Sequence, residues 1–80
     1  MFVYILFSEK SSRYYVGQTA DIEDRLKRHN SGRVYSTKYG IPWKIVLRKE
    51  VSNRSEAMAL ENKIKKRGAK RFIDDHRDIL

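Results

Sequence analysis

The chain opens on a run with almost no polar interruption, Phe2-Val3-Tyr4-Ile5-Leu6-Phe7. A short run that is apolar at consecutive positions and rich in aromatic and β-branched residues predicts a strand buried on both faces, hence central in a sheet. Ser8 to Ser12 is polar and turn-prone. Arg13 to Val16 reads as the second strand, so the two form an antiparallel hairpin. The period then changes from 2 to 3.6. Ile22, Arg25, Leu26 and His29 recur at i, i+3, i+4 and i+7, one face of a helix running from Asp21 to Asn30. Asp21 is placed to cap it, with an acid three residues on at Asp24. Gly32 suits the left-handed position beyond its C-terminus.

Arg33 to Pro42 reads as a loop that mixes cations, hydroxyls and two tyrosines. Trp43 to Val51 alternates as a third strand, with Trp43, Ile45 and Leu47 on one face and Lys44 and Arg48 on the other. Asn53, with Glu56 three residues later, predicts the start of a second helix that runs to Arg67 and is stopped by Gly68. Ala69 to Asp78 is a short last helix with Phe72 and Ile73 as its core contacts. The order β-β-α-β-α-α predicts a small α+β layer structure, a three-stranded sheet flanked by helices. With so few strands, helices can cover one sheet face, and the sheet is mixed or antiparallel.

Eighty residues predict one domain, spanning 1–80, with a thin core. There is no cysteine, so disulfides and cysteine-based zinc sites are excluded, and a reducing compartment fits. The apolar run at the start is far short of the ~20 residues a membrane span needs. No basic segment precedes it, so it does not read as a signal peptide, and a cytoplasmic address is expected. Charge changes the picture most. Eighteen Lys and Arg against ten acids leave a formal charge of +8. A small domain this basic points to a polyanion, most commonly nucleic acid. A membrane surface fits less well, because no helix joins a basic face to a broad Trp/Phe/Leu face. A basic surface kept only for solubility is the plain alternative.

Candidate chemistry lies at three places. Ala57, Leu60, Glu61 and Ile64 share one helix face, so Glu61 points with an apolar stripe. A carboxylate there needs a cation, a metal or a proton. Alternatively it sits at the stripe's edge, reaching solvent or pairing with a lysine. Arg25 and His29 lie one helical turn apart, either as a phosphate clamp with a proton-handling imidazole or as a surface pair beside Ile22 and Leu26. Tyr4 and Tyr15 fall in the hairpin strands, where tyrosine is also ordinary core filler. Gly17, closing the strand Tyr14-Tyr15-Val16, permits a close approach that a side chain would forbid.

Together these residues resemble a known family. Tyr4 in Phe2-Val3-Tyr4 and Tyr15 in Tyr15-Val16-Gly17 are separated by ten residues. Arg25 and then His29 follow on a helix, and Glu61 on a later one. This layout resembles the GIY-YIG nuclease domain, above all its small single-domain members, close to the nuclease domain of structure-specific endonucleases that cut branched DNA. The resemblance runs from Met1 to about Ile73. It departs at Phe2, where the family name has glycine, and at Val3 and Val16, which replace isoleucines. Gln18 stands where some members carry lysine, which removes one cation.

The resemblance implies a three-stranded sheet flanked by helices and one divalent metal, Mg²⁺ or Mn²⁺. Glu61 matches the metal-binding glutamate, and Arg25 the arginine that contacts the scissile phosphate. Tyr4 and Tyr15 match the motif tyrosines, one of which activates or orients the attacking water; members differ over which. His29 matches a histidine that assists a tyrosine in some branches. The implied activity is metal-dependent endonucleolytic hydrolysis of DNA, at branched or single-stranded structures. A protein partner would supply substrate specificity, since no second domain is expected to choose the substrate. Presence of all five positions favours this over a catalytically weak or inactive nucleic-acid-binding module on the same fold. A basic domain that binds acidic protein is a third reading, separable by salt dependence. The DNA path is expected along Lys27, Arg28, Arg33 and Lys38, and along Lys66, Arg67 and Lys70. Tyr35 and Tyr39 are placed to stack on unpaired bases.

Overall fold

The computed structural model of the protein describes residues 1–76. Strands β1 (Phe2–Ser8) and β2 (Arg13–Thr19) are followed by helix α1 (Ile22–Asn30) and a 3₁₀ segment (Tyr35–Gly40). Strand β3 (Lys44–Glu50) and helices α2 (Arg54–Arg67) and α3 (Ala69–Asp75) complete the order. The expected order β-β-α-β-α-α holds. The Arg33–Pro42 loop is more ordered than its polar composition suggests. Helix α3 ends at the cap residue His76, and the rest of the helix expected to reach Asp78 lies outside the described residues.

Both expected N-caps form. The Asp21 side chain accepts from the Asp24 N–H, and the Asn53 side chain accepts from the Glu56 N–H. Gly32 and Gly68 take positive φ values of 82° and 93° beyond α1 and α2.

The sheet is wholly antiparallel in the order β2-β1-β3, so the apolar first strand is central, as its continuous hydrophobicity requires. Helices cover both of its faces rather than one. Val3 and Ile5 pack with Leu47, with Ala57 and Ile64 of α2 and with Phe72 of α3. Tyr4 and Leu6 pack on the opposite side with Ile22 of α1 and with Trp43.

The third strand departs from simple alternation. Leu6 pairs with Ile45 but Ile5 pairs with Leu47, so Val46 is an extra residue, a β-bulge. The bulge separates the face expected to be shared. Trp43 and Ile45 pack around Tyr4, whereas Leu47 packs against Val3 and Ile5. Lys44 and Arg48 are separated likewise, opposite Phe7 and Tyr4.

Trp43 locks the preceding loop. Its backbone N–H donates to Asn30 Oδ1 at 2.6 Å, and its carbonyl accepts from Asn30 Nδ2 at 3.0 Å. Its indole N–H donates to the Thr37 carbonyl at 2.7 Å. Residue 37 is thereby pressed into the core beneath α1.

Candidate active site

Strand β2 is an edge strand, so a groove at its rim opens to both sides of the sheet. Tyr15 leans to the α1 side, where it packs with the Tyr4 cluster. Gln18, opposite Val3, reaches the α2 side and donates to Glu61. Between them Gly17 pairs with Tyr4. A Cβ at Gly17 would lie 2.6 Å from the Tyr4 hydroxyl oxygen and 2.8 Å from its ring carbon Cζ. Glycine is needed there for the close approach inferred from sequence, and the Tyr4 ring occupies the space a side chain would fill. The resulting cleft, of about 560 Å³, is lined by Tyr4, Tyr14, Tyr15, Val16, Gly17, Gln18, Arg25, Arg54, Glu61 and Lys65. Four of the five expected catalytic residues therefore line one cleft, each delivered by a different element.

The fifth, His29, stands behind the cleft, with only 1 % of its surface exposed. The surface-pair alternative for Arg25 and His29 does not hold. His29 Nε2 lies 3.2 Å from the Tyr4 hydroxyl, and Nδ1 lies 2.8 Å from Thr37 Oγ1. Thr37 Oγ1 in turn donates to the Val34 carbonyl at 3.4 Å. The one assignment that uses all three contacts puts the imidazole proton on Nδ1, donated to Thr37. Nε2 is then bare and accepts the phenolic proton of Tyr4. The Tyr15 ring flanks the histidine at 4.7 Å between centroids.

Electrostatics agree with this tautomer. Burial, with the nearby Arg25 charge, holds His29 below its ordinary value of 6.5, so the ring is neutral at neutral pH. Burial pushes Tyr4 up from 10.0 to about 12, with Tyr15 and Glu61 adding to the rise and Arg25 opposing it. Tyr4 is thus a protonated donor to His29 at neutral pH. The stability consequence has a definite sign. The unfolded chain protonates its histidine at about 6.5, the folded chain only at lower pH. Stability from this site is complete above that value and is lost as pH falls through the lowered one. Urea midpoints measured from neutral to mildly acid pH should fall for the parent, and His29→Gln should flatten that slope. Exposed Glu9 and Asp75, whose carboxyls are held below 4.5 and 3.8 by Lys44 and Arg67, act only at lower pH.

Glu61 lies at the edge of the α2 stripe, with 17 % of its side chain exposed. Its Oε1 accepts from Gln18 Nε2 at 3.3 Å and its Oε2 accepts from Lys65 Nζ at 2.7 Å. The lysine pairing weighed from periodicity is therefore present, and so is placement in the cleft. Gln18 Oε1 is buried without any hydrogen-bond partner. Among the described residues no three His, Cys, Asp or Glu side chains gather as a metal cluster. The donor set for a divalent cation is one hard carboxylate beside an unsatisfied amide oxygen, in an open cleft with room for water. That suits Mg²⁺ or Mn²⁺, which keep several of their own waters.

The basic residues expected to carry nucleic acid lie outside the cleft, and all are exposed. Lys27 and Arg28 are on α1, where Arg28 pairs with Asp24 at 3.0 Å. Arg33 and Lys38 flank and enter the 3₁₀ segment. Lys66 and Lys70 are on α2 and α3, and Arg67 between them is held by two hydrogen bonds to Asp75, at 2.7 and 3.0 Å. Tyr35 is 88 % exposed, whereas Tyr39 stacks edge-on against Trp43. Sequence reasoning missed Arg54 and Thr37. Arg54 lies seven residues before Glu61, nearly the same helical angle, so the helix period could have found it. Thr37 carries no periodic signal, because its burial depends on the 3₁₀ turn and Trp43.

Comparison with known proteins points the same way. The sequence pattern of the GIY-YIG catalytic domain matches residues 1–73. Two UPF0213 proteins of Streptococcus pneumoniae, from strains R6 and TIGR4, are each 35 % identical over 81 residues, covering 96 % of this chain and 81 % of theirs. No solved structure matches the chain. With the motif tyrosines, Arg25 and Glu61 brought to one cleft on a β-β-α-β-α-α frame, the chain belongs to the GIY-YIG catalytic domain family.

Proposed function

We propose that this protein is a metal-dependent endonuclease that hydrolyses DNA phosphodiester bonds, with branched or single-stranded DNA as its substrate. The observation that carries this reading is the convergence of Tyr4, Tyr15, Arg25 and Glu61 on one cleft. Hydrolysis requires an in-line water, charge stabilisation on the non-bridging oxygens and stabilisation of the leaving alkoxide. Arg25 is half-buried at the cleft wall and supplies a planar fork for a phosphate. Tyr4 spends its proton on His29 Nε2, so its oxygen lone pairs are left to orient a water. Its raised pKa makes that orienting role better suited to it at neutral pH than proton removal as a phenolate. Tyr15 offers a second hydroxyl to the same space. A divalent cation on Glu61 would neutralise phosphate charge and lower the pKa of a bound water.

The formal charge of +8 supports a polyanionic substrate. Exposed Tyr35, with Arg33 and Lys38 beside it, supports contact with unpaired bases. Among the described residues no helix is long and apolar enough to cross a membrane.

The test is incubation with labelled linear, flapped and junction DNA, with and without Mg²⁺ or Mn²⁺. Cutting that requires the metal supports the proposal. Tight binding without cutting under all conditions would instead favour a binding module on the same fold. Arg25→Ala should lower turnover about 100-fold or more, the scale for losing one preorganised charge donor, with affinity changed far less. Arg25→Lys should not restore the rate, because the bidentate fork is gone. A Lys variant as fast as the parent would remove Arg25 from the clamp role.

A further inference from the structure

Glu61 by itself is a weak seat for a divalent cation, and two donors already occupy it. Gln18 Nε2 sits on one oxygen at 3.3 Å and Lys65 Nζ on the other at 2.7 Å. A cation taking the carboxylate must displace both. The far end of the same glutamine side chain explains how one of them adapts. Gln18 Oε1 is buried and accepts no hydrogen bond. Buried polar atoms are rarely left so, and such an atom calls for a missing partner. The last torsion of a glutamine is broad and roughly two-fold, so the amide can turn over, and the amino group's loss of its bond to Glu61 is offset by the oxygen's new bond to the cation. Against a bare carboxylate the N–H end is favoured. Against a carboxylate carrying a cation, the dipole preference reverses and the oxygen end faces inward.

We propose that Gln18 is a second protein ligand of the divalent cation, its amide oxygen coordinating together with the Glu61 carboxylate, and that Lys65 is the counter-ion the metal displaces. The proposal rests on the metal-dependent reading above. Its chemistry is consistent: Mg²⁺ and Mn²⁺ accept carboxylate and amide oxygens alike. Its placement is rigid, since Gln18 is fixed by pairing with Val3 in the sheet and Glu61 by a helical turn packed on that sheet. Once released, Lys65 remains at the cleft wall, where a DNA phosphate replaces the carboxylate as its partner. Gln18 therefore contributes a ligand where some family members carry a cation.

Mn²⁺ binding to the DNA-free protein, followed by calorimetry and by the free-ion electron paramagnetic resonance signal, decides the matter by sign. Gln18→Met keeps length and bulk but has no oxygen. If Gln18 is a ligand, this variant binds Mn²⁺ about 10-fold more weakly or worse. If Gln18 is only a competing donor, the variant frees Glu61 and binds more tightly, which overturns the proposal; unchanged affinity overturns it too. Lys65→Met should bind Mn²⁺ more tightly than the parent, and weaker or equal binding refutes the displacement. Glu61→Gln separates the two levels. Loss of binding in Glu61→Gln but not in Gln18→Met refutes only the role of Gln18. A parent that binds no Mn²⁺ at millimolar concentration, or a Glu61→Gln variant that binds like the parent, refutes the metal site itself. Circular dichroism establishes that each variant is folded.

Discussion

Glu61→Gln is expected to lower DNA cleavage by more than about 100-fold while the fold and DNA binding persist. The substitution keeps length and shape, and an amide still accepts from Gln18 and occupies the same cleft edge. What disappears is the negative charge, which a divalent cation requires and a neutral amide replaces poorly. The surface ion pair with Lys65 is lost as well, but such pairs contribute little to stability, ~0–1 kcal/mol. A loss of cleavage therefore cannot be assigned to unfolding, and a urea transition with a near-parental midpoint would show this directly. Binding should be retained, because removing a negative charge from a cleft lined by Arg25, Arg54 and Lys65 does not repel a polyanion. Cleavage at the parental rate in Mg²⁺ would remove Glu61 from the mechanism and the single-carboxylate site with it.

Gly17→Ala is expected to damage both stability and cleavage. The added methyl would sit 2.6 Å from the Tyr4 hydroxyl oxygen, 2.8 Å from Cζ and 3.2 Å from a Tyr15 ring carbon. Neither ring has an easy way out. Tyr4 is 1 % exposed and its hydroxyl is bonded to His29, while Tyr15 is packed against that histidine. Forcing one carbon into so tight a site typically costs about 1–3 kcal/mol. Displacing a catalytic side chain by an ångström costs on the order of 100-fold in rate. Both phenols shift here, so the near-ultraviolet dichroism of the tyrosines should change along with the urea midpoint. An alanine variant with parental stability and rate would mean that Tyr4 does not need its present position.

Much of this arrangement was legible in the sequence. The unbroken apolar run at Phe2–Phe7, rich in aromatic and β-branched residues, predicted a central strand, and Asp21 and Asn53 marked the two helix starts because each carries a side-chain acceptor ahead of a periodic segment. Glu61 stood out because a carboxylate on the Ala57–Ile64 stripe needs a partner. The errors have physical causes. Residues 43–47 fit a strand with or without an extra residue, so nothing local announced the bulge at Val46 that sends Ile45 and Leu47 to opposite faces. Thr37 looked like one more hydroxyl in a polar loop, since its burial is created by Trp43 and Asn30 from outside the segment. The grouping of Lys66, Arg67 and Lys70 on one DNA path carries no information about which cations of this segment are already paired. In the fold Lys65 pairs with Glu61 and Arg67 with Asp75, while Lys66 makes no ion pair among the described residues. The Glu61–Lys65 pair follows from its i,i+4 spacing, whereas Arg67 and Asp75 meet only because α2 and α3 fold back on each other.

Tyr4 stands at the centre of the central strand, pressed between both neighbours, and its hydroxyl emerges at the floor of the cleft. A residue of the folding core thus doubles as part of the working surface. In most enzymes loops carry the chemistry and can drift while the framework holds. Here Tyr4 and Tyr15 come from paired strands, Arg25 and Glu61 from helices on opposite faces, so no fragment of the chain holds a usable set. On the endonuclease reading proposed above, this arrangement acts as a safeguard. On that reading, a nascent, misfolded or half-degraded copy keeps its positive charge, which would still attract a polyanion, but it has no assembled cleft with which to cut. The same arrangement narrows the paths open to evolution. Retuning the cleft through Tyr4 means retuning the core, so changes of substrate are easier at the rim, around Tyr35 and Arg54.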